Sequence, residues 1–289
     1  MQIRRLQSED LSIVVAFLEE HLESSLFLLS NVLKGGLEYR GRNYEADYLG
    51  VFRDGTLIGL ASHTWVGTLL IQAPCLEALN QLESALPRFL SRRLSGLLGP
   101  RDQCLELMER LSLDRGAATL DQDEPMYALE LSRLRMPTLL EDPRVALRRS
   151  QPPDLKPLAL WRADYLVEVM NFPSSTTLEQ RAYTEVLSAH EERRSFVLEH
   201  DGERVAYGVF NAITPRAVQL GGLWVPPEHR GRGYGRSLMA AGLKEARDVE
   251  RIRQGVVMID DGNRPALNGS EALGFLRVGR YSFTLWEEG

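Results

Sequence analysis

The chain repeats itself. Arg4, Arg5, Gln7, Asp10 and Leu11 recur in order and spacing as Arg148, Arg149, Gln151, Asp154 and Leu155, at an offset of 144 in a chain of 289 residues. A second echo follows at an offset of 147, where Asp54-Gly55 and Asp201-Gly202 each stand between apolar runs. Asp-Gly in that setting is a strong hairpin signal, because the tight turn needs positive φ at both central residues. Either match alone is compatible with chance. Both fall at the same place within each half, and that favours two copies of one fold. The join is expected at 135–144, where Pro137 and Pro143 break the hydrophobic periodicity. The reading is a first domain at 1–134, a linker at 135–144 and a second domain at 145–289.

The second half reads as strands and helices in mixed order. Strands are expected at 145–149, 195–199, 204–212, 217–225, 255–259 and 281–286, and helices at 154–169, 177–193, 235–249 and 264–273. Leu158, Trp161, Tyr165 and Val169 mark the buried face of the first helix, and Gly274 ends the last one. The first half gives a similar order.

Composition narrows the function. The net charge is −6, with a pI near 5.5, so the chain is a poor candidate for gripping nucleic acid. Nothing reads as a signal peptide or a membrane span; the apolar stretches near 11–18 and 26–33 are short and broken by Glu19, Glu20 and Glu23. Cys75 and Cys104 form no disulfide framework and show no metal-ligand spacing, and His21, His63, His190, His200 and His229 form no cluster, so no metal is expected. A cytoplasmic protein, monomer or homodimer, is expected.

The most informative stretch runs from Leu223 to Leu238. An expected strand enters a loop with alternating glycines at 231, 233 and 235, and a helix follows at once. Glycine lets backbone amides approach a ligand closely, and a helix N-terminus offers free N–H groups and partial positive charge. Three arginines and one glutamate between 226 and 236 leave the loop positive in an acidic chain. These residues point to a phosphate-bearing ligand. They are not the dinucleotide fingerprint, since its third glycine position is Arg236. They are not the nucleoside triphosphate loop either, since there is no lysine.

Arg230, Gly233 and Gly235 do fill the pattern [R/Q]-x-x-G-x-[G/A], and Asn263, Ala266, Gly274 and Phe275 fit a later N-x-x-A…G-F pattern in register. This resembles the acyl-CoA loop of the GCN5-related N-acetyltransferases (GNAT), over roughly 145–286 and more weakly over the first half. The resemblance implies an α/β fold of two tandem acetyltransferase-like domains, each a mixed, mostly antiparallel sheet flanked by helices. It implies acetyl-CoA as co-substrate, held by Leu223, Trp224 and Val225 along the strand, by Arg230, Gly231, Arg232, Gly233, Tyr234, Gly235 and Arg236 in the loop and helix start, and by Asn263 beside the cofactor. Gly221-Gly222 fits a bulge or a close ligand approach.

The family pattern breaks at the chemistry. The position of the usual tyrosine acid is Ser270, and that of a glutamate base is Gln219. Tyr207 and Tyr281 are further candidates for the acid. Glu168 and Glu228 are the candidate catalytic carboxylates, each with a structural alternative: a solvated helix face for Glu168, a helix cap for Glu228. The expected function is transfer of an acetyl group from acetyl-CoA to the amine of a small molecule, with no nucleic acid and no membrane as partner. The alternatives are an acyl-CoA-binding sensor without catalysis and an enzyme for longer acyl chains. In the first half, 74–87 holds no glycine and no arginine after an expected fourth strand. That copy is expected to keep the fold without the cofactor.

Overall fold

The residues shared by the two halves do the same work in each. In the computed structural model, which describes residues 1–286, Arg4 donates two 2.7 Å hydrogen bonds to Asp10, and Arg148 donates to Asp154 at 2.6 and 3.1 Å. The backbone N–H groups of Gln7 and Gln151 donate to the same two carboxylates. A bidentate arginine therefore ties the first strand of each copy to the start of its first helix. The Asp-Gly echoes are turns: φ is 51° and 82° at Asp54 and Gly55, and 53° and 78° at Asp201 and Gly202.

In chain order the elements are β1 (Gln2–Arg5), α1 (Leu11–Glu20), α2 (Leu22–Gly35), β2 (Ala46–Arg53), β3 (Thr56–Thr64), β4 (Thr68–Gln72), α3 (Leu76–Phe89), β5 (Gly96–Pro100), α4 (Arg101–Arg110) and β6 (Leu120–Glu130). They continue as β7 (Val145–Arg149), α5 (Leu155–Glu168), α6 (Thr176–Glu191), β8 (Ser195–His200), β9 (Glu203–Ile213), β10 (Ala217–Trp224), α7 (Tyr234–Asp248), β11 (Gln254–Met258), α8 (Arg264–Leu273) and β12 (Leu276–Leu285). The elements expected between 145 and 273 are all present, with ends moved by at most two residues; β12 begins earlier than expected. No helix among the described residues is long and apolar enough to cross a membrane.

The chain divides into two compact units: Met1–Met126 together with the residues from Val278 on, and Tyr127–Arg277. This departs from the single cut expected at 135–144 and from a second domain spanning 145–289. The physical reason is strand pairing. In the first unit the order is β1-β2-β3-β4-β5-β12, and β12 pairs antiparallel with β5 from Tyr281↔Pro100 to Leu285↔Gly96. In the second unit the order is β7-β8-β9-β10-β11-β6, with Tyr127 and Leu129 of β6 in the core. Each sheet is thus finished by a strand from the other half of the sequence, which covers an edge that would otherwise present unpaired backbone groups.

Both sheets are mixed. Their first four strands run antiparallel, and then β4–β5 and β10–β11 run parallel. A parallel pair needs a crossover, supplied here by α3 and α7. In the second unit Phe196, Phe210, Leu238 and Leu243 fill the side that holds α7, while Leu158, Val186, Val197 and Tyr207 fill the side that holds α5 and α6. In the first unit Leu69, Ile71, Leu82, Leu86 and Cys104 pack together.

Two outcomes are expected. The arginine beside Asp10, helped by the Gln7 N–H, holds its carboxyl at about 2, against burial that opposes ionisation. A depressed carboxyl contributes stability above its unfolded value and loses it as pH falls through the folded value. Asp10→Asn should therefore remove part of the acid sensitivity between the ordinary carboxylate range and pH 2, as read by acid titration of circular dichroism. Tyr281 is fully buried and paired to β5, so Tyr281→Ala should destabilise the first unit by about 3–5 kcal/mol. Hydrogen exchange of β4 and β5 should speed up while that of β9 and β10 does not.

Candidate active site

The parallel ladder between β10 and β11 is short. It holds at Ala217↔Gln254, Val218↔Gly255 and Gln219↔Val256 and goes no further. On its other side β10 stays paired to β9 at Gly221↔Val209 and at Trp224↔Tyr207, leaving Gly222 and Leu223 opposite Gly208 alone. Two residues facing one is a β-bulge, and φ of +56° at Gly222 puts it in the left-handed region. Gly222 and Leu223 therefore have no ladder partner toward β11. A slot opens there, bounded by the end of β10.

The loop that follows turns through a short 3-10 segment, Pro227–His229, and reaches Gly231 at φ +77° and Gly233 at φ +82°. A Cβ on Gly231 would meet nothing within 4 Å, and one on Gly233 only Leu139 Cδ2 at 3.9 Å. Backbone angle, not crowding, requires these glycines, and the surface above them is open. Gly235 has a different reason: its Cβ would meet Leu223 Cδ2 at 3.3 Å and Val225 Cγ2 at 3.4 Å, where α7 packs on the end of β10. Gly233 is the N-cap of α7, and no side chain caps that helix. By contrast, Ser175 caps α6 and Asn263 caps α8. The first-turn N–H groups of α7 are left for an external acceptor. Arg232 and Arg236 are exposed and have no hydrogen bond or ion pair among the described residues.

The structure gives other expected site residues internal partners. Arg230 and Glu168 hold each other: Nη1 lies 2.8 Å from Oε1 and Nη2 donates to Oε2 at 3.0 Å. Arg230 Nε donates to the Val225 carbonyl at 3.0 Å, and the guanidinium stands 4.7 Å over the Trp224 ring. This arginine is a staple across α5, β10 and the loop. Glu168 is half exposed, with both oxygens committed to it. Glu228 is exposed in the 3-10 turn and caps nothing. The Tyr234 side chain points inward, its hydroxyl 2.6 Å from His200 Nδ1. Asn263 accepts from the Ala266 N–H at 3.2 Å.

The acid and base positions are equally constrained. Ser270 is fully buried and donates to the Leu267 carbonyl at 2.9 Å, inside its own helix. Gln219 is buried; its Nε2 donates to the Leu220 carbonyl at 3.2 Å, while Oε1 is buried without a partner. Tyr281 lies in the first unit, beside Phe27 and Phe283, and does not belong to this slot. Tyr207 does lie across from Trp224, and burial pushes its phenol well above the usual range, so it stays protonated.

The sequence pattern gave Arg162 no role and placed Tyr165 only on the buried face of α5. With Glu168 they recur every three residues along α5, a helical stripe that lies against the end of β10. Arg162 meets Gly222, Tyr165 stacks edge-on to Trp224 at 6.4 Å, and Glu168 holds Arg230. The spacing was visible; the strand it would face was not. Among the described residues no group of metal-ligating side chains comes together.

In the first unit, β4 and β5 also part after three pairs, Thr68↔Gly96 to Leu70↔Leu98. There the Ala73 N–H just past β4 donates to Gln103 Oε1 at 2.6 Å, and α3 begins at Cys75 with no glycine before it. Glu77 in the first turn is paired with Arg53.

A mixed sheet with a parted parallel pair and an uncapped, glycine-led helix leaves backbone N–H groups free to meet an anion. Residues 159–275, all within the second unit, match the model of the Acetyltransferase (GNAT) family. Among solved structures, a Drosophila protein matches over 98% of both chains at 16% identity, with a TM-score of 0.70. A tandem GNAT protein from the clavulanic acid biosynthesis pathway matches over 100% of this chain and 99% of its own, at 14% identity and a TM-score of 0.57. A GNAT-family acetyltransferase from Colwellia psychrerythraea matches over 99% and 100%, at 14% identity and a TM-score of 0.54. At these identities the likeness is one of fold: two tandem GNAT-like copies. No curated protein matches the sequence.

Because the Ser270 hydroxyl is spent on its own helix, Ser270→Ala should cost no more than about 1 kcal/mol in urea unfolding and leave acyl transfer unchanged. A large loss of turnover with CoA affinity intact would give the serine a chemical role.

Proposed function

We propose that the second unit binds acetyl-CoA and transfers its acetyl group to the amine of a small molecule. The observation that carries this reading is the uncapped start of α7 behind Gly231 and Gly233, beside the slot where β10 leaves β11. In this reading the N–H groups at 231–236 and the unpaired Arg232 and Arg236 take the pyrophosphate. The backbone of Leu223, Trp224 and Val225 runs beside the pantetheine, and Asn263 sits at the head of the flanking helix. Arg230 contributes by fixing the loop through Glu168 and Val225. The free amine attacks the thioester carbon, a backbone N–H at the bulge stabilises the oxyanion, and the thiolate leaves and takes up a proton. Glu168 and Glu228 are the carboxylates near the loop. The geometry favours water-assisted loss of the ammonium proton over either of them as a direct base, since Glu168 is committed to Arg230 and Glu228 faces solvent.

A second reading is supported by the same residues. Ser270 is turned into its helix and Gln219 cannot take a proton, which suits an acyl-CoA-binding sensor without turnover. The two readings part in one assay: acetyl-CoA with a panel of small amines, followed by free thiol. Amine-dependent thiol release supports the enzyme, whereas CoA binding without it supports the sensor.

Calorimetry should find one CoA per chain. Gly233→Val should lower CoA affinity at least tenfold, because a branched side chain resists the left-handed angle at a cost of about 1–3 kcal/mol and displaces the amides. Two CoA per chain, or unchanged affinity in the variant, would overturn the site assignment.

A further inference from the structure

Arg162 is held in an unusual way. Its Nε donates to Glu185 Oε2 at 2.7 Å, and its guanidinium lies 4.8 Å over the Tyr165 ring. Glu185 is shared, since Arg181 Nε donates to its other oxygen at 2.8 Å. Two arginines thus lean on one carboxylate and leave an uncompensated positive charge. Burial opposes ionisation of Glu185, but the two arginines outweigh it and hold its carboxyl below the usual range. Other acids nearby are engaged: Glu168 by Arg230 and Glu192 by Arg194. Among the described residues Arg162 Nη1 and Nη2 have no hydrogen-bond acceptor, although the side chain is only 21% exposed. A half-buried guanidinium with an idle fork is a costly arrangement unless something binds it.

The fork is aimed at a particular place. Nη1 lies 3.2 Å from where a Cβ on Gly222 would stand. Gly222 is the left-handed residue of the bulge at which β10 loses its ladder partner. Its missing side chain therefore does two things: it permits the bulge, and it leaves room for the guanidinium. Gln219 Oε1, buried and without a partner, lies on the same strand just before the bulge. A planar fork beside an open backbone matches the two oxygens of a carboxylate, and an idle carbonyl-type oxygen matches an ammonium or amine N–H.

We propose that the acceptor is an amine that also carries a carboxylate, an amino-acid-like molecule, and that Arg162 grips the carboxylate through Nη1 and Nη2. The inference rests on the transferase reading and adds its substrate class. Arg162 is a specificity-determining residue here: it orients the acceptor so that its amine meets the acyl group at the bulge, and it takes no part in proton movement. Glu185 and Tyr165 fix the orientation of the guanidinium plane. Neutral amines lack the group that the fork binds, and acceptors with two anionic groups would leave one without a cation.

The test compares the common α-amino acids with their amides as acceptors for acetyl-CoA, read by free thiol. At least one amino acid should exceed its amide by about 10–100-fold in kcat/KM, the range expected for a charged, bidentate contact. Arg162→Gln should collapse that ratio toward one, mainly through KM, and Arg162→Lys should restore only part of it, because an ammonium lacks the fork. If Arg162→Gln fails to fold, Gly222→Ala serves instead: its Cβ pushes on Nη1 and should lower the same ratio. Amides used as well as amino acids, or variants that leave the ratio unchanged, would overturn the proposal. If no amine releases thiol, the transferase reading fails separately. Saturation-transfer NMR of the same amino acids with the CoA-loaded protein then decides this inference: binding lost in Arg162→Gln supports it, and no binding to the native protein overturns it.

Discussion

The ladder between β10 and β11 lasts three residue pairs, and the arrangement of the second unit follows from its early end. A helix that crosses over between two parallel strands starts at the C-terminal end of the first and must return to the far end of the second. Where the strands part, its N-terminus and the last residues of β10 face the same opening. The bulge at Gly222 and Leu223 fixes that point. It turns backbone groups out of the ladder, and the glycines at 231 and 233 then aim the first amides of α7 at the same space. An anion bound there meets a positive end and open N–H groups without any side chain being required.

Arginine side chains set the geometry around this opening more than they fill it. Arg230 ties Glu168, the Val225 carbonyl and the Trp224 ring into one knot on the edge of the slot. As an exposed pair it contributes little to stability, about 0–1 kcal/mol, so its value is in positioning the loop. Arg148 does the heavier structural work, tying β7 to the head of α5 through Asp154, which is almost fully buried and also receives Arg204. Since α5 carries Arg162, Tyr165 and Glu168 to the end of β10, the placement of these three side chains descends from that buried ion pair.

How much of this was legible depends on the range of each interaction along the chain. The Arg-x5-Asp echo was readable because both partners lie within seven residues, and the hairpins because an Asp-Gly turn is local. The glycine loop was readable for the same reason. The pairing of Arg230 with Glu168 was not readable, because the two lie 62 residues apart and charge alone does not say which anion an arginine will meet. Strand exchange was invisible for a related reason. β6 and β12 occupy the same place in their repeats, after α4 and α8, and either would satisfy either open edge. Alternation tells which face of a strand is buried, not which of two equivalent sheets it joins.

The first unit has no glycine between β4 and α3. Its β4 and β5 part just as β10 and β11 do, so the backbone beyond β4 has the same need for an acceptor. With no glycine turn to open it toward a ligand, the Ala73 N–H takes the side-chain oxygen of Gln103, which α4 carries across from the other side of the slot. A buried donor without a partner costs about 1–3 kcal/mol, and a glutamine at that position removes the cost permanently. Backbone left without a ladder partner at the end of β10 in one copy is satisfied by a side chain of the protein itself in the other. Gly99, packed within about 3 Å of Ile71 and Cys104 by the measure of an added Cβ, closes the space further. An acyl carrier entering this slot would have to displace Gln103 and part a packed core. That barrier, more than the absence of positive charge near 74–87, is what sets the first unit's slot apart from that of the second.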